Sequence, residues 1–166
     1  MRKKILIVED DTELLELLRL HLKSAGFAIA TARNGIEALK KARSLSPDLV
    51  LLDLVLPELD GFAVCETLRK APATASIPVI MLTGLTSQAA RRAGLEAGTR
   101  DFITKPVNPQ HLVARINELL RHPRGPSSTP RTDKSSQAET PERVPARRTE
   151  RATARTTLDR LQAGLA

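Results

Sequence analysis

Short apolar runs and amphipathic stretches alternate five times along residues 1–122. Several of the apolar runs are continuous rather than alternating, which is typical of strands covered on both faces of a sheet. The sequence therefore predicts five buried strands. They are Ile5–Val8, Phe27–Ala32, Leu49–Leu52, Val79–Leu82 and a short Phe102–Ile103.

Helical spacing fills the intervals between these runs. In the first interval, one apolar stripe with i, i+3, i+4, i+7 spacing precedes the stop signal Gly26. Its members are Leu14, Leu17, Leu18, His21, Leu22 and Ala25. Further helices are predicted over Ile36–Leu45, Phe62–Lys70, Ser87–Ala97 and Gln110–Leu120. Strand–helix alternation at this spacing predicts a doubly wound α/β domain whose five parallel strands are joined by right-handed crossovers.

The composition changes near residue 122. Residues 123–166 hold nine Lys and Arg against five Asp and Glu, with five prolines and few bulky aliphatic side chains. Such a stretch cannot bury enough apolar area to offset chain entropy, so we expect a basic, disordered tail after the domain at 1–122. The spacing of Leu158, Leu161 and Leu165 is compatible with a short helix over 156–165 that forms on a partner.

Several classes of protein are excluded by composition. A single Cys excludes a disulfide framework and a multi-cysteine metal site. No apolar run approaches the roughly 18 residues of a membrane span. The N-terminus turns acidic after four apolar residues, unlike a signal peptide. These features favour a cytoplasmic protein.

Polar residues follow the predicted strands where doubly wound folds bind their ligands, beyond the carboxyl ends. Glu9-Asp10-Asp11 follow the first strand and Asp53 the third, while Thr83 and Lys105 follow the fourth and fifth. The chain therefore predicts a site with several carboxylates, one hydroxyl and one ammonium group.

This set of side chains indicates phosphoryl chemistry with a divalent cation. Three carboxylates in one loop repel phosphate unless a cation such as Mg²⁺ intervenes, and Mg²⁺ prefers oxygen ligands. A neighbouring Asp can act as a nucleophile and form an aspartyl phosphate, with Thr83 and Lys105 holding the phosphoryl oxygens. Asp11 is better explained as a helix cap, and Asp10 or Asp53 taken alone fits a structural role equally well.

The sequence resembles the response-regulator receiver domain of two-component signalling, a CheY-like superfamily with a flavodoxin-like (β/α)5 fold. The resemblance extends over residues 3–121. The matching segments are KILIVEDD, PDLVLLDLVLPELDGF, IPVIMLTG and GTRDFITKPVNPQHLVARI.

This resemblance implies a role for each acidic residue. Asp53 matches the phospho-acceptor and also binds Mg²⁺. Asp10 matches the direct metal carboxylate, Glu9 a second acidic residue acting through water, and Val55 a ligand through its backbone carbonyl. A sensor histidine kinase or a phosphotransfer protein would supply the phosphoryl group.

The resemblance also implies a switch. Thr83 matches the switch hydroxyl, Lys105 the phosphate-contacting lysine and Phe102 the switch aromatic, and the Lys105-Pro106 bond is expected to be cis. Phosphorylation would draw Thr83 to the phosphate, turn Phe102 inward and change the face of helix four, strand five and helix five, which an unknown downstream protein reads. Such a chain assists its own phosphorylation and dephosphorylation and is otherwise not an enzyme.

Two departures from the family pattern predict differences in behaviour. Val55 and Leu85 are apolar where polar side chains orient the attacking water, so we expect a long-lived phosphorylated state. Arg91, Asp101 and Arg115 match the ion-pair pattern of the symmetric receiver dimer. Arg100 and His111, however, replace its acidic partners, so we do not expect that dimer.

Two other classes of function have less support in the sequence. A phosphatase of the haloacid-dehalogenase type would need an acid–base Asp two residues after the nucleophile, where this chain has Val55. Nucleic-acid or acidic-partner binding would use the basic stretch Arg143–Arg155 of the tail, electrostatically and without aromatic stacking.

Overall fold

A computed structural model of the chain describes residues 1–84 and 88–122, without the side chains of residues 88–90. The tail predicted over 123–166, its helix at 156–165 and Leu85 lie outside the described residues. Within the described part of the chain, no helix is both long and apolar enough to cross a membrane.

Five strands and five helices alternate, as the apolar pattern predicts. The strands are β1 (Lys4–Val8), β2 (Ala28–Ala32), β3 (Leu49–Asp53), β4 (Val79–Thr83) and β5 (Asp101–Thr104). The helices are α1 (Thr12–Ser24), α2 (Gly35–Leu45), α3 (Gly61–Lys70), α4 (Gln88–Glu96) and α5 (Pro109–Arg121). β5 extends one residue beyond the predicted run at each end.

The strands form one parallel sheet in the order β2-β1-β3-β4-β5. β3 lies at its centre, where Val50 pairs with Leu6 of β1 and with Val79 of β4. This order confirms the predicted doubly wound, flavodoxin-like fold. It also brings the carboxyl ends of β1, β3 and β4 next to one another.

Successive strand residues enter two separate cores, one on each face of the sheet. Ile7 and Leu51 belong to the core that α1 and α5 cover. Val8 and Leu52 belong to the core that α2 and α3 cover. Because both faces of the central strands are buried, β1, β3 and β4 are apolar along most of their length, which explains their continuous hydrophobic runs, whereas β2 and β5 are only partly buried.

The buried face of α1 differs from the predicted stripe. Leu15, Leu18 and Leu22 are buried, whereas Leu17 is 44% exposed. His21 is also exposed and places its Nδ1 2.8 Å from the Leu17 carbonyl oxygen, and Ala25 is exposed. Leucines lie on more than one face of this helix, so their spacing alone does not predict which face packs against the sheet.

Side chains that precede the helices fix the loops at the carboxyl edge of the sheet. The Asp11 carboxylate accepts hydrogen bonds from the backbone N–H groups of Glu13 and Leu14, confirming its role as a helix cap. Asp60 caps α3 in the same way through Ala63. The loops after β1 and β3 therefore each lead into a helix whose first turn is capped by a side chain of the loop.

Candidate phosphoryl and metal site

Three carboxylates meet where β1 and β3 end. Glu9 and Asp10 follow β1 directly, and Asp53 is the last residue of β3. One carboxylate oxygen from each lies within 4.8 Å of the others. Glu9 is fully buried and Asp53 is 4% exposed, while Asp10 opens to solvent. The sequence prediction that these residues converge agrees with the structure.

Lys105 joins the two buried carboxylates. Its Nζ lies 2.9 Å from Glu9 Oε2 and 2.9 Å from Asp53 Oδ2. The residue directly follows β5, and its backbone N–H donates to the Thr83 carbonyl oxygen at 2.8 Å. The Lys105-Pro106 bond is cis, as the resemblance implied. The Lys105 ammonium group thus extends from the end of the edge strand β5 to the end of the central strand β3.

Burial and charge set the protonation of this cluster. Burial raises the pKa of Glu9 to about 7, with Asp53 adding to the rise and the hydrogen bond from Lys105 opposing it. Burial acts to lower the pKa of Lys105, but its hydrogen bonds to Asp53 and Glu9 outweigh burial and raise it. Lys105 therefore remains charged beside carboxylates that one ammonium group does not fully neutralise.

Backbone groups orient the two buried carboxylates. The second oxygen of Glu9 accepts the Asp11 N–H at 3.2 Å, and Asp53 Oδ1 accepts the Val55 N–H at 3.3 Å. Each acid therefore receives one ammonium and one amide hydrogen bond. The Val55 side chain is 70% exposed next to Asp53. The role of its carbonyl as a metal ligand stays a prediction.

Gly61 brings the start of α3 close to the end of β3. A Cβ at this position would lie 2.4 Å from the Asp53 carbonyl oxygen and 2.9 Å from Leu54 Cα. Only glycine permits this approach, and its N–H donates to the Leu54 carbonyl oxygen at 2.9 Å. Sequence reasoning missed this supporting residue, although the Asp60-Gly61 pair is a recognisable helix-start signal.

Arg33 is a second residue that the sequence did not single out. It follows β2 and donates from Nη2 to Thr12 Oγ1 at 2.5 Å and to the Asp10 carbonyl oxygen at 3.3 Å. The guanidinium group therefore braces the loop that carries Asp10. Its only signal was its place directly after a strand, the same rule that found the acids.

The two predicted switch residues lie on adjacent strands. Thr83 ends β4, is 2% exposed and pairs in register with Thr104 of β5. Phe102 lies in β5 and packs, partly buried, against the core under α2 and α3. Both are placed as the sequence predicted relative to the strand ends. Their movement on phosphorylation stays a prediction.

Comparisons with known proteins agree with this geometry. A family model described as the response regulator receiver domain matches residues 5–117. The alkaline phosphatase synthesis transcriptional regulatory protein PhoP of Bacillus subtilis is 41% identical over 135 residues, which cover 80% of this chain and 55% of PhoP. The chain thus spans about half the length of the curated relatives it matches.

Solved structures resemble the chain closely. A response regulator structure from Chloroflexus aurantiacus has a TM-score of 0.71 and 38% identity, and covers 74% of this chain and all of its own. The receiver domain of a Pseudomonas aeruginosa sensor histidine kinase has a TM-score of 0.68 and 28% identity over 73% of this chain and 99% of its own. That structure holds a magnesium ion coordinated in its active site cleft.

Proposed function

Because the chain belongs to the response regulator receiver domain family, we propose that Asp53 accepts a phosphoryl group in a Mg²⁺-dependent reaction. The observation that carries the proposal is the placement of Asp53: buried, 2.9 Å from Lys105 and clustered with two further carboxylates. A carboxylate in these surroundings is held beside a fixed positive charge and kept from bulk water. The chain would act as a signalling module of a two-component system.

The transfer follows from the groups present. An oxygen of Asp53 attacks the phosphorus of a phosphohistidine, so that an O–P bond forms and the P–N bond breaks, leaving the histidine nitrogen with the electron pair. Lys105 then pairs with the negative oxygens of the phosphoryl group. The Lys105 Nζ already lies 2.9 Å from Asp53 Oδ2, so it can contact a phosphoryl group on Asp53 without a rearrangement of the backbone.

The acidic cluster suits Mg²⁺. Asp10 and Asp53 would bind the ion directly, Glu9 would act through water, and Val55 would contribute its backbone carbonyl. Oxygen donors alone, with excess negative charge, are the ligands that Mg²⁺ prefers. When bound, the ion neutralises charge between the carboxylates and an incoming phosphoryl group.

A sensor histidine kinase or a phosphotransfer protein is the donor that we propose, and the cytoplasm is the compartment. The receiver would pass the signal to a protein partner through the face formed by α4, β5 and α5. The comparisons do not support the alternative in which the tail binds nucleic acid or an acidic partner. We do not propose a separate enzymatic activity, because Val55 leaves the position two residues after Asp53 without an acid–base group.

Intact mass after incubation with acetyl phosphate tests the proposal. One phosphoryl group is expected with Mg²⁺ present and none after chelation. Asp53→Asn should abolish incorporation while keeping the fold, judged by circular dichroism. Asp60→Asn, an exposed cap of α3, is the matched control and should still be phosphorylated. Unchanged incorporation in Asp53→Asn would refute the assignment.

A further inference from the structure

The ring of Phe102 occupies space that a side chain on α4 would need. A Cβ at Gly94 would lie 2.0 Å from the ring Cζ, 2.7 Å from Cε1 and 3.2 Å from Cε2. Gly94 is buried and lies inside α4, two residues before its last residue, Glu96. The tip of the ring therefore points directly at the backbone of the helix.

The register of β5 fixes the face of the sheet on which the Phe102 ring lies. Phe102 pairs with Met81 of β4, and both side chains enter the core under α2 and α3, whereas Ile103 enters the opposite core. A strand residue cannot change faces without slipping the register of the whole strand. The ring must therefore lie on the side of the sheet where α4 passes.

A glycine inside a helix is otherwise unfavourable. Glycine has among the lowest helix propensities and alanine the highest, so the propensity of α4 alone would favour alanine at position 94. Gly94 has an ordinary helical backbone with no positive φ, so turn geometry does not require glycine. The close approach of the ring is the remaining physical reason.

We propose that Gly94 is a positioning residue for Phe102, which couples the ring to the position of α4 against the sheet. The ring and the helix keep their places together only when residue 94 lacks a side chain. A change at the phosphoryl site that moved the ring would thus alter the packing of α4. This regulatory meaning rests on the proposed function, whereas the contact itself does not.

A double-mutant cycle on the full chain tests the contact. Gly94→Ala is expected to lower the urea midpoint despite its gain in helix propensity. In a Phe102→Leu background, which removes the ring tip, the same substitution should raise the midpoint. Gly84→Ala, at a non-helical position where a Cβ meets no atom within 4 Å apart from its chain neighbours, is a control for the glycine-to-alanine change itself and should have the same effect in both backgrounds. Equal stabilisation by Gly94→Ala in both backgrounds would overturn the inference.

Aromatic NMR tests the coupling. The chain has three phenylalanines and no tyrosine or tryptophan, so few ring signals need to be assigned. With ring-¹³C phenylalanine, Gly94→Ala should shift the Phe102 signal and leave Phe27 unchanged. Beryllofluoride with Mg²⁺ should move the Phe102 signal in the wild type but much less in Gly94→Ala. A full response of Phe102 in the variant would contradict the coupling.

The two proposals fail separately. Gly94→Ala should still take up one phosphoryl group at Asp53, because Gly94 is not part of the phosphoryl site. If the wild type takes up none while the cycle is non-additive, the proposed function fails and the contact stands. If phosphorylation succeeds and the cycle is additive, the Gly94 inference fails alone.

Discussion

Lys105 is the residue on which two buried acids depend. Glu9 is fully buried and Asp53 nearly so, and each places an oxygen 2.9 Å from the Lys105 ammonium group. Removing one member of a buried ion pair leaves the charge of the other member without compensation. The resulting loss of stability exceeds the stability that the intact pair contributed. The stability of the site therefore responds strongly to this single side chain.

We expect Lys105→Met to lower the free energy of unfolding by about 1–3 kcal/mol at neutral pH, measured by urea denaturation. The variant keeps the length of the side chain but leaves Glu9 and Asp53 without their cation. Mg²⁺ should restore part of the loss by replacing that charge. Lys70→Met, whose partner Glu66 is well exposed, is the control and should change stability by less than about 1 kcal/mol. Equal effects of the two substitutions would contradict the assigned role.

At this scale the sequence predicted the identity of the acids, the hydroxyl and the lysine, because each directly follows a strand. It did not predict how Lys105 divides its hydrogen bonds. Nor did it find Arg33 and Gly61, whose roles depend on loops meeting in space. Such contacts join residues far apart in the chain, and no local pattern records them.

Among the elements, β1 is held to the loop before β3 by Asp48. Its carboxylate accepts the Lys4 N–H at 2.8 Å and the Lys3 ammonium at 2.9 Å, and its own N–H donates to the Lys4 carbonyl oxygen. Partial burial acts to raise the pKa of Asp48, but the bonds from Lys4 and Lys3 outweigh it and hold the pKa below its usual value. The ionised form thus stabilises the amino edge of the sheet.

Asp48→Asn is expected to cost about 0.5–1.5 kcal/mol of unfolding free energy at pH 7. Since the folded pKa is lowered, the stabilisation by Asp48 is present above its unfolded pKa near 3.8 and disappears as the pH falls through the folded pKa. The difference between wild type and variant should therefore be full at pH 6 and shrink in acid. Urea midpoints measured against pH test this.

A difference that stays constant down to the lowest pH at which the protein folds would contradict the role of Asp48. Glu66→Gln, on the exposed surface of α3, is the control and should change the urea midpoint much less than Asp48→Asn at pH 6. The chemical change is nearly the same in both variants, so a shared effect would point to charge in general rather than to this contact.

The elements themselves were largely predictable, because both faces of the sheet are buried and the strands are continuous apolar runs. The prediction of which face of α1 is buried was wrong. The leucines of this helix lie on several of its faces, and only packing against the sheet decides which of them are covered. Gly94 in α4 gave no signal beyond its unfavourable propensity. Its reason lies in the Phe102 ring, which comes from another element.

In the whole molecule, two ion pairs of Arg115 lie on the face formed by α4, β5 and α5. Arg115 Nη2 lies 2.5 Å from Asp101 Oδ2, and Arg115 Nη1 lies 2.5 Å from Glu118 Oε2. Both acids are in the same chain as the arginine, and neither needs a second copy to be paired. These pairs lie on the face through which the sequence predicts that no symmetric dimer forms.

We expect the protein to sediment as a monomer after treatment with beryllofluoride and Mg²⁺, which mimic the phosphorylated state. Arg100 and His111 stand where the dimer would need acids, so a second copy would bring like charges together. Sedimentation velocity over a range of protein concentrations measures this. A dimer that forms only with beryllofluoride would contradict the expectation.

We propose that Asp53, and no other carboxylate of the cluster, carries the phosphoryl group. Hydride reduction of the acyl phosphate, followed by peptide mass spectrometry, locates it directly because the modified Asp becomes homoserine. We expect homoserine at residue 53 in samples that contained acetyl phosphate and Mg²⁺. Homoserine at Asp10, or none in a protein that has gained a phosphoryl group, would contradict it.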